Sequence, residues 1–449
     1  MAVSVSTSAS FQLTTLDNGL RVILREVRER PLVGVWLWYR VGGRNELPGT
    51  TGVSHWVEHM LFKGGKRFGK GEITKEISRR GGALNAFTWI DCTAYFETLP
   101  ASEIDLALAI ESDRMYDTRI EPDEAEAERS VVISEREGNE NYPEFWLREE
   151  VQSMAWREHP YRLGVIGPKS DLRAMTRENL YDHYKRYYMA NNATLVMVGD
   201  FSAPHLLDKI HAEFDKHPAG PTPPALEIEE QPQTGERRVI VRRPGPTHYV
   251  MLAYHAPEAS HADAAAMVVL NSLLGGASSP IAWGGARGLG RSSRLYRALI
   301  DGEIASSVSA GFELTLDPYL FVVDATLRSD IEPARAEAAI LAEVERVQRQ
   351  GVPADELART KRQLHAQVVY SLEGVTNQGF ALGYMDLVAR DPGAWESFPE
   401  ALQNVTSDDI QRVASTYLVE DQRTTGWFNP NPNPNPHPQN SSTNGEAHR

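Results

Sequence analysis

The stretch Gly52-Val53-Ser54-His55-Trp56-Val57-Glu58-His59-Met60-Leu61-Phe62-Lys63-Gly64 decides how this chain is read. His55 and His59 stand four residues apart, with Glu58 beside the second. On an α-helix, positions i, i+3 and i+4 share one face. Two imidazoles and a carboxylate then converge within reach of one ion, as in a catalytic zinc site with a general base at its side. The order His-x-x-Glu-His reverses the commoner His-Glu-x-x-His motif. The flanks agree with a short helix. Gly52-Val53-Ser54 offers a turn with Ser54 as N-cap. Met60-Leu61-Phe62 continues it with apolar residues, and Gly64-Gly65 ends it.

A hydrolytic zinc site has three protein ligands and one open position. The acidic run Glu128-Arg129-Ser130-Val131-Val132-Ile133-Ser134-Glu135, on a helix opened by Pro122, is the natural source of the third. Glu128 and Glu135 are seven residues apart and share a helical face, two turns from each other. Only one can reach the ion; the other would steady the ligands from behind. Spacing leaves open which is which.

Working outward, Phe11–Arg25 alternates around Asp17-Asn18-Gly19, a β-hairpin pattern. Val33–Val41 is an apolar strand, and Ala83–Trp89 and Thr93–Leu99 are two more. Helices are expected over Gly71–Arg80, Ser102–Asp117, Pro122–Trp156 and Arg177–Tyr188, and a short buried strand over Ala193–Val198. From Lys216 the chain turns Pro-rich, which reads as an interdomain linker. After it the order of elements restarts. Strands are expected over Arg238–Val241, Tyr249–Tyr254, Ser306–Leu314 and Tyr319–Leu327. Helices are expected over Ala264–Leu274, Ser293–Asp301, Glu332–Arg349, Ala354–Ser371, Asn377–Arg390 and Ser407–Tyr417, and a Gly/Ser-rich loop over Gly275–Arg291. The division is therefore a first domain over 11–217 with the motif, a linker over 218–234 and a second domain of similar fold over 235–428 without it. The polar, low-complexity tail over 429–449 is expected to be disordered. The fold class is α+β, with two similar domains, each a mixed, mostly antiparallel sheet packed with helices.

Composition bounds the function. At 449 residues, two or more domains are needed to hold the core. A formal charge of −15 excludes the basic footprint of a nucleic-acid binder. No run approaches the roughly 20 apolar residues of a membrane span. Met1–Ser10 has neither a basic start nor a long apolar core, so no targeting signal is expected, and the placement is cytoplasmic, with the periplasm as the alternative. The single cysteine, Cys92, allows no internal disulfide and reads as a packing residue.

Taken together, the motif stretch, Gly81-Gly82-Ala83-Leu84-Asn85-Ala86-Phe87-Thr88, the run Glu128–Glu135 and Ser293-Arg294-Leu295-Tyr296 resemble the insulinase–pitrilysin family of zinc peptidases, in the short branch that includes mitochondrial processing peptidase. The resemblance runs from about Phe11 to Thr425. It implies one Zn2+ per chain held by His55, His59 and Glu135, with Glu58 as the general base that activates water and Glu128 supporting catalysis from the outer side. It implies that Ala83–Thr88 is an edge to which a peptide substrate adds as a further strand, with Asn85, Ala86, Phe87 and Thr88 in contact with it. Active relatives bring an Arg and a Tyr from the second half to the scissile bond. On and after Tyr319–Leu327, which ends in Thr326-Leu327-Arg328, no such pair stands in the expected places. Arg294 and Tyr296 belong to another element and read as structural. The resemblance therefore implies a heterodimer, in which a second, homologous subunit supplies the pair and four related domains enclose a chamber. The loop Gly275–Arg291, with Trp283, is similar to the glycine-rich loop of processing-peptidase partners; the alternative is a long surface insertion. The expected activity is zinc-dependent endopeptidase cleavage of peptides or short unfolded segments. The alternative is a non-catalytic structural or peptide-binding subunit, and the intact set His55, Glu58, His59 and Glu135 favours the enzyme.

Overall fold

The computed structural model describes residues 6–7, 10–284 and 290–431. Two sheets carry the fold. The first contains β1 (Ser6–Thr7), β2 (Gln12–Thr15), β3 (Arg21–Glu26), β4 (Leu32–Tyr39), β5 (Ala83–Thr88), β6 (Thr93–Pro100) and β7 (Ala193–Gly199), in the order β1-β2-β3-β7-β4-β6-β5. The second contains β8 (Arg237–Pro244), β9 (Tyr249–Ala256), β10 (Ala305–Phe312), β11 (Tyr319–Leu327) and β12 (Arg423–Asn431), in the order β10-β11-β9-β12-β8.

Remove β1 and β2 and the two sheets have one topology. Each has a single parallel pair, β3 with β7 and β8 with β12, and every other pairing is antiparallel. The duplication expected from element order is thus present strand for strand, and the α+β class with two helix-packed mixed sheets is correct. In each sheet the second strand of the half (β4, β9) is central and buried on both faces, which is why Leu32–Tyr39 and Tyr249–Ala256 are nearly continuous apolar runs.

The halves exchange helices. The helix Val375–Val388, from the second half, lies on β4 and β7 of the first sheet. Gly379 and Gly383 allow this close approach. A Cβ at Gly379 would sit 2.5 Å from the Trp36 ring, and one at Gly383 2.1 Å from Trp38 Nε1. Trp36 Nε1 donates to Thr376 O at 2.9 Å, and the buried Asp386 takes Arg21, Arg40 and the Thr194 hydroxyl at 2.5, 3.0 and 2.8 Å. Reciprocally, the helix Pro143–Ala155 lies on β8, β9 and β12, where Gly426 admits Leu147 and Val151.

Three sequence expectations need correction. The helix expected over Pro122–Trp156 is two helices, Pro122–Asn139 and Pro143–Ala155. Pro143 lacks an N–H and pushes the preceding residue out of the helical region, so the chain turns and its second piece serves the other sheet. The helix expected over Ser293–Asp301 starts at Arg294, and from Tyr296 to Asp301 it is wound as a π-helix. The tail does not begin at 429: Asn429, Pro430 and Asn431 extend β12, paired in parallel with Arg242, Arg243 and Pro244. Beyond Phe428 the strand has lost its other neighbour, β9, so Pro430 sits where no second ladder needs its amide. The rest of that segment, 432–449, lies outside the described residues. The stretch 218–234 carries no regular secondary structure.

Candidate metal centre

The helix Val53–Met60 bears the motif. Val53, Trp56, Val57 and Met60 are buried, which turns His55 and His59 outward along the opposite face. Its start differs from expectation. Ser54 is not the cap but lies within the first turn; the N-cap is Gly52, at φ 94°. A Cβ there would sit 2.5 Å from Ile166 O, and the left-handed backbone also favours glycine. The capping carboxylate comes from Glu46, whose oxygens accept from the Gly52 and Ser54 amides at 2.7 and 2.8 Å. Burial pushes the Glu46 carboxyl up to about 8, against the pull of those amides. Ser54 instead bonds His183 Nε2 through Oγ, at 3.0 Å.

The helix Pro122–Asn139 crosses the motif helix and presents both glutamates to it. Glu135 Oε2 lies 3.7 Å from His55 Nε2 and 3.7 Å from His59 Nε2. The three donor atoms lie within 4.8 Å of one another. Tetrahedral zinc with bonds of about 2.0–2.1 Å sets its donors about 3.4 Å apart, so two nitrogens and an oxygen at these separations need only a small closure to take the ion. Burial, helped by His59, pushes the His55 imidazole down to about 3. It is therefore neutral, the form that ligates. His55 Nδ1 is buried and without a partner among the described residues.

Glu128 does not reach the donor triangle. Its Oε1 lies 2.9 Å from His59 Nδ1 and its Oε2 2.5 Å from Lys63 Nζ. It fixes the His59 ring with Nδ1 as donor and Nε2 free for a metal. Burial pushes its carboxyl up, but the bonds from Lys63 and His59 outweigh this and hold it below the usual range. The two glutamates, indistinguishable by spacing, are thus separated by geometry.

Glu58 is buried on the flank of the triangle and accepts from the Thr88 hydroxyl at 2.7 Å. Burial raises its carboxyl above the ordinary value, partly offset by that bond. Thr88 ends β5, and β5 is the outer strand of its sheet. Of the residues expected to meet substrate, Asn85 is exposed, but its Oδ1 accepts from the Ala86 amide at 2.9 Å, so a strand docking there must displace it. The Ala86 side chain is buried under the sheet, which leaves only its main chain to offer. Phe87 points to the opposite face, against Trp283, Trp36 and Phe380. Of the loop Gly275–Arg291, residues 285–289 lie outside the described residues.

Sequence reasoning missed Glu46, Lys63 and the Thr88–Glu58 bond. Lys63 lies beyond the motif helix, which ends at Met60 rather than running on through Phe62, so no helical spacing pointed to it. Arg129 was also unread; its guanidinium lies 4.8 Å from the Trp56 ring and ties the acidic helix to the motif helix.

The fold is a duplicated α+β one, and its first half carries a cluster of two histidines and a carboxylate that could hold a metal ion. Residues 21–169 match the family described as insulinase (peptidase family M16), and residues 174–364 the one described as the peptidase M16 inactive domain. The chain belongs to the insulinase family of peptidases. It is 28% identical to a zinc protease, PqqE, of Helicobacter pylori over 423 residues, 93% of this chain and 92% of that one. It is 26% identical to a probable mitochondrial-processing peptidase subunit beta of Arabidopsis thaliana, over 91% of this chain and 76% of that one. The crystal structure of a protease from Helicobacter pylori superposes with a TM-score of 0.88 at 27% identity, covering 94% of this chain and 99% of that one. No helix among the described residues is long and apolar enough to cross a membrane.

Proposed function

We propose that the chain is a zinc endopeptidase that cleaves peptides or short unfolded segments. The observation that carries this reading is the meeting of His55 Nε2, His59 Nε2 and Glu135 Oε2 beside the buried Glu58. The donor set, two imidazoles and a carboxylate, suits zinc. Zinc bound there supplies Lewis acidity and lowers the pKa of water. The rest is done by the chain. Glu58, raised by burial, takes a proton from the attacking water and returns it to the leaving amine. Thr88 holds the Glu58 carboxylate in position. Glu128, itself held by Lys63, keeps the His59 ring in the ligating tautomer; it is a positioning residue, not a catalytic one. β5 receives the substrate as an added strand, its outer main chain gripping any sequence once Asn85 Oδ1 is displaced from the Ala86 amide.

In the same proposal, a second, homologous subunit supplies the Arg and Tyr that this chain lacks around Tyr319–Arg328, and two such subunits enclose the substrate. The placement is cytoplasmic, in keeping with a lone cysteine that is fully buried. The test is cleavage of quenched fluorescent peptides by the purified chain, with zinc quantified and a chelator and Glu58→Gln as controls. Cleavage that needs both zinc and Glu58 supports the reading. Bound zinc with turnover only on adding the partner supports the two-subunit form. Absence of zinc refutes both.

A further inference from the structure

Arg44 stands in the short turn Gly43–Asn45, two residues before the Glu46 that caps the motif helix. Main chain ties this turn to the one that follows β5. The Gly43 and Arg44 amides donate to Trp89 O and Ile90 O at 3.1 and 2.9 Å. A Cβ at Gly42 would sit 2.1 Å from Trp89 O, so the two turns lie in direct contact. On its other side the segment grips the motif helix, through Glu46 and through Ser54 Oγ, which donates to Gly42 O at 3.3 Å. Gly42–Glu46 is thus a bracket between the end of β5 and the helix that bears the histidines.

The Arg44 side chain extends the bracket to the second half. Its guanidinium bridges Asp91 Oδ1, at 3.5 Å, and Asp317 Oδ2. Asp91 lies in the turn between β5 and β6, and Asp317 in the turn between β10 and β11. These are the same turn of the duplicated topology, once in each half. The turns also meet directly, where Asp91 Oδ2 accepts from the Leu316 amide at 2.9 Å. The Tyr161 hydroxyl donates to Asp91 at 2.5 Å, and His159 Nε2 lies 3.1 Å from Asp317 Oδ2. The Arg44 side chain is 11% exposed and that of Asp91 2%, so solvent and salt screen this bridge little. Thr88 ends β5, three residues before Asp91, and its hydroxyl holds the Glu58 carboxylate. Where the turn after β5 sits therefore decides where Thr88 meets Glu58.

We propose that Arg44 is a positioning residue for the reaction: by clamping the turn after β5 against the second half, it keeps Thr88 on the Glu58 carboxylate. This rests on the peptidase reading above. It gives the second half, which supplies none of the three metal donors, a part in aligning the site of the first. The donors themselves stand on helices to which the Arg44 side chain makes no bond among the described residues.

The experiment is a double-mutant cycle of Arg44→Met and Thr88→Val. It reads kcat on a quenched fluorescent peptide and zinc affinity by chelator competition, with the homologous subunit added where the chain alone is inactive. A misplacement of about 1 Å at a reacting group costs about 100-fold. Arg44→Met should therefore lower kcat by at least about tenfold while zinc affinity stays unchanged. In the Thr88→Val background the contact that Arg44 protects is already gone, so the same substitution should cost no more than the roughly twofold scatter of such cycles. Losses that multiply, or an unchanged kcat in folded Arg44→Met, overturn the proposal. Removing Arg44 leaves the buried Asp91 without its cation. If that variant misfolds by circular dichroism, Asp317→Asn, at the partly exposed end of the bridge, replaces it in the cycle with the same expected pattern. If the wild type cleaves no peptide, the peptidase reading fails, and the clamp is judged by amide hydrogen exchange. Faster exchange over 83–92 in the variant, with β3 unchanged, then upholds it; equal exchange, or a rise alike in both, overturns it.

Discussion

Replacing Glu128 separates support of the metal from ligation of it. The carboxylate touches no donor position, yet holds His59 Nδ1 at 2.9 Å and is itself anchored by Lys63 at 2.5 Å. Two things are lost on substitution. One is the negative charge behind the imidazole, which makes Nε2 a better donor. The other is the hydrogen bond that fixes the ring. Glu128→Gln keeps an amide oxygen that can still accept from Nδ1, so mainly the charge is lost. Glu128→Ala loses both and leaves Lys63 without its partner. Outer partners of metal-bound histidines are worth about 10- to 100-fold in metal affinity, or about 1.4–2.7 kcal/mol. Glu128→Gln is placed near the lower figure and Glu128→Ala near the upper. Glu135→Gln removes a direct donor of three and should weaken binding further than either. The assay is a competition titration of zinc against a chromophoric chelator, with the metal-free protein checked by circular dichroism. An affinity unchanged in folded Glu128→Ala, or a larger loss in Glu128→Gln than in Glu135→Gln, would refute the assignment.

Three further outcomes are expected. Glu46→Ala removes the carboxylate that caps the motif helix through two buried amides; it should lower stability by about 2 kcal/mol, the upper end for a lost cap, and weaken zinc binding, read by urea midpoint and chelator competition. Gly383→Ala sets a methyl 2.1 Å from Trp38 Nε1; overpacking of about 1–3 kcal/mol should outweigh any helix-propensity gain of up to about 1 kcal/mol, and an unchanged or higher melting temperature would contradict the close helix–sheet approach. His183 is neutral in the fold because burial pushes it down to about 3, while the unfolded chain protonates it near 6.5. Its contribution is therefore intact above pH 6.5 and lost as pH falls toward 3, at about 1.4 kcal/mol per unit, and His183→Asn should flatten that part of the urea-midpoint profile.

What was legible in the sequence had a local cause. The motif helix, the hairpin around Asp17-Asn18-Gly19 and the doubly buried β4 and β9 follow from spacing, turn residues and apolar runs. The pair Glu128 and Glu135 was legible as one face, but their roles depend on where the crossing helix meets His59, which spacing does not fix. Glu46 was hidden because a short turn over Gly43–Asn45 brings it back to a helix that begins seven residues later. The last residues of β12 were hidden because Asn-Pro repeats read as disorder; tertiary pairing with β8 overrides that composition. The exchange of helices between halves was also out of reach. Gly379 and Gly383 look like weak points in a helix until Trp36 and Trp38 are seen beneath them.

The central claim is a zinc centre at His55, His59 and Glu135 with Glu58 as base. Its most direct test compares zinc content and peptide turnover in the wild-type chain and Glu58→Gln, prepared identically. The expected result is one zinc per chain in both proteins and turnover only with the wild type, measured with the partner subunit added where the chain alone is inactive. Zinc in neither, or equal turnover in both, would contradict it.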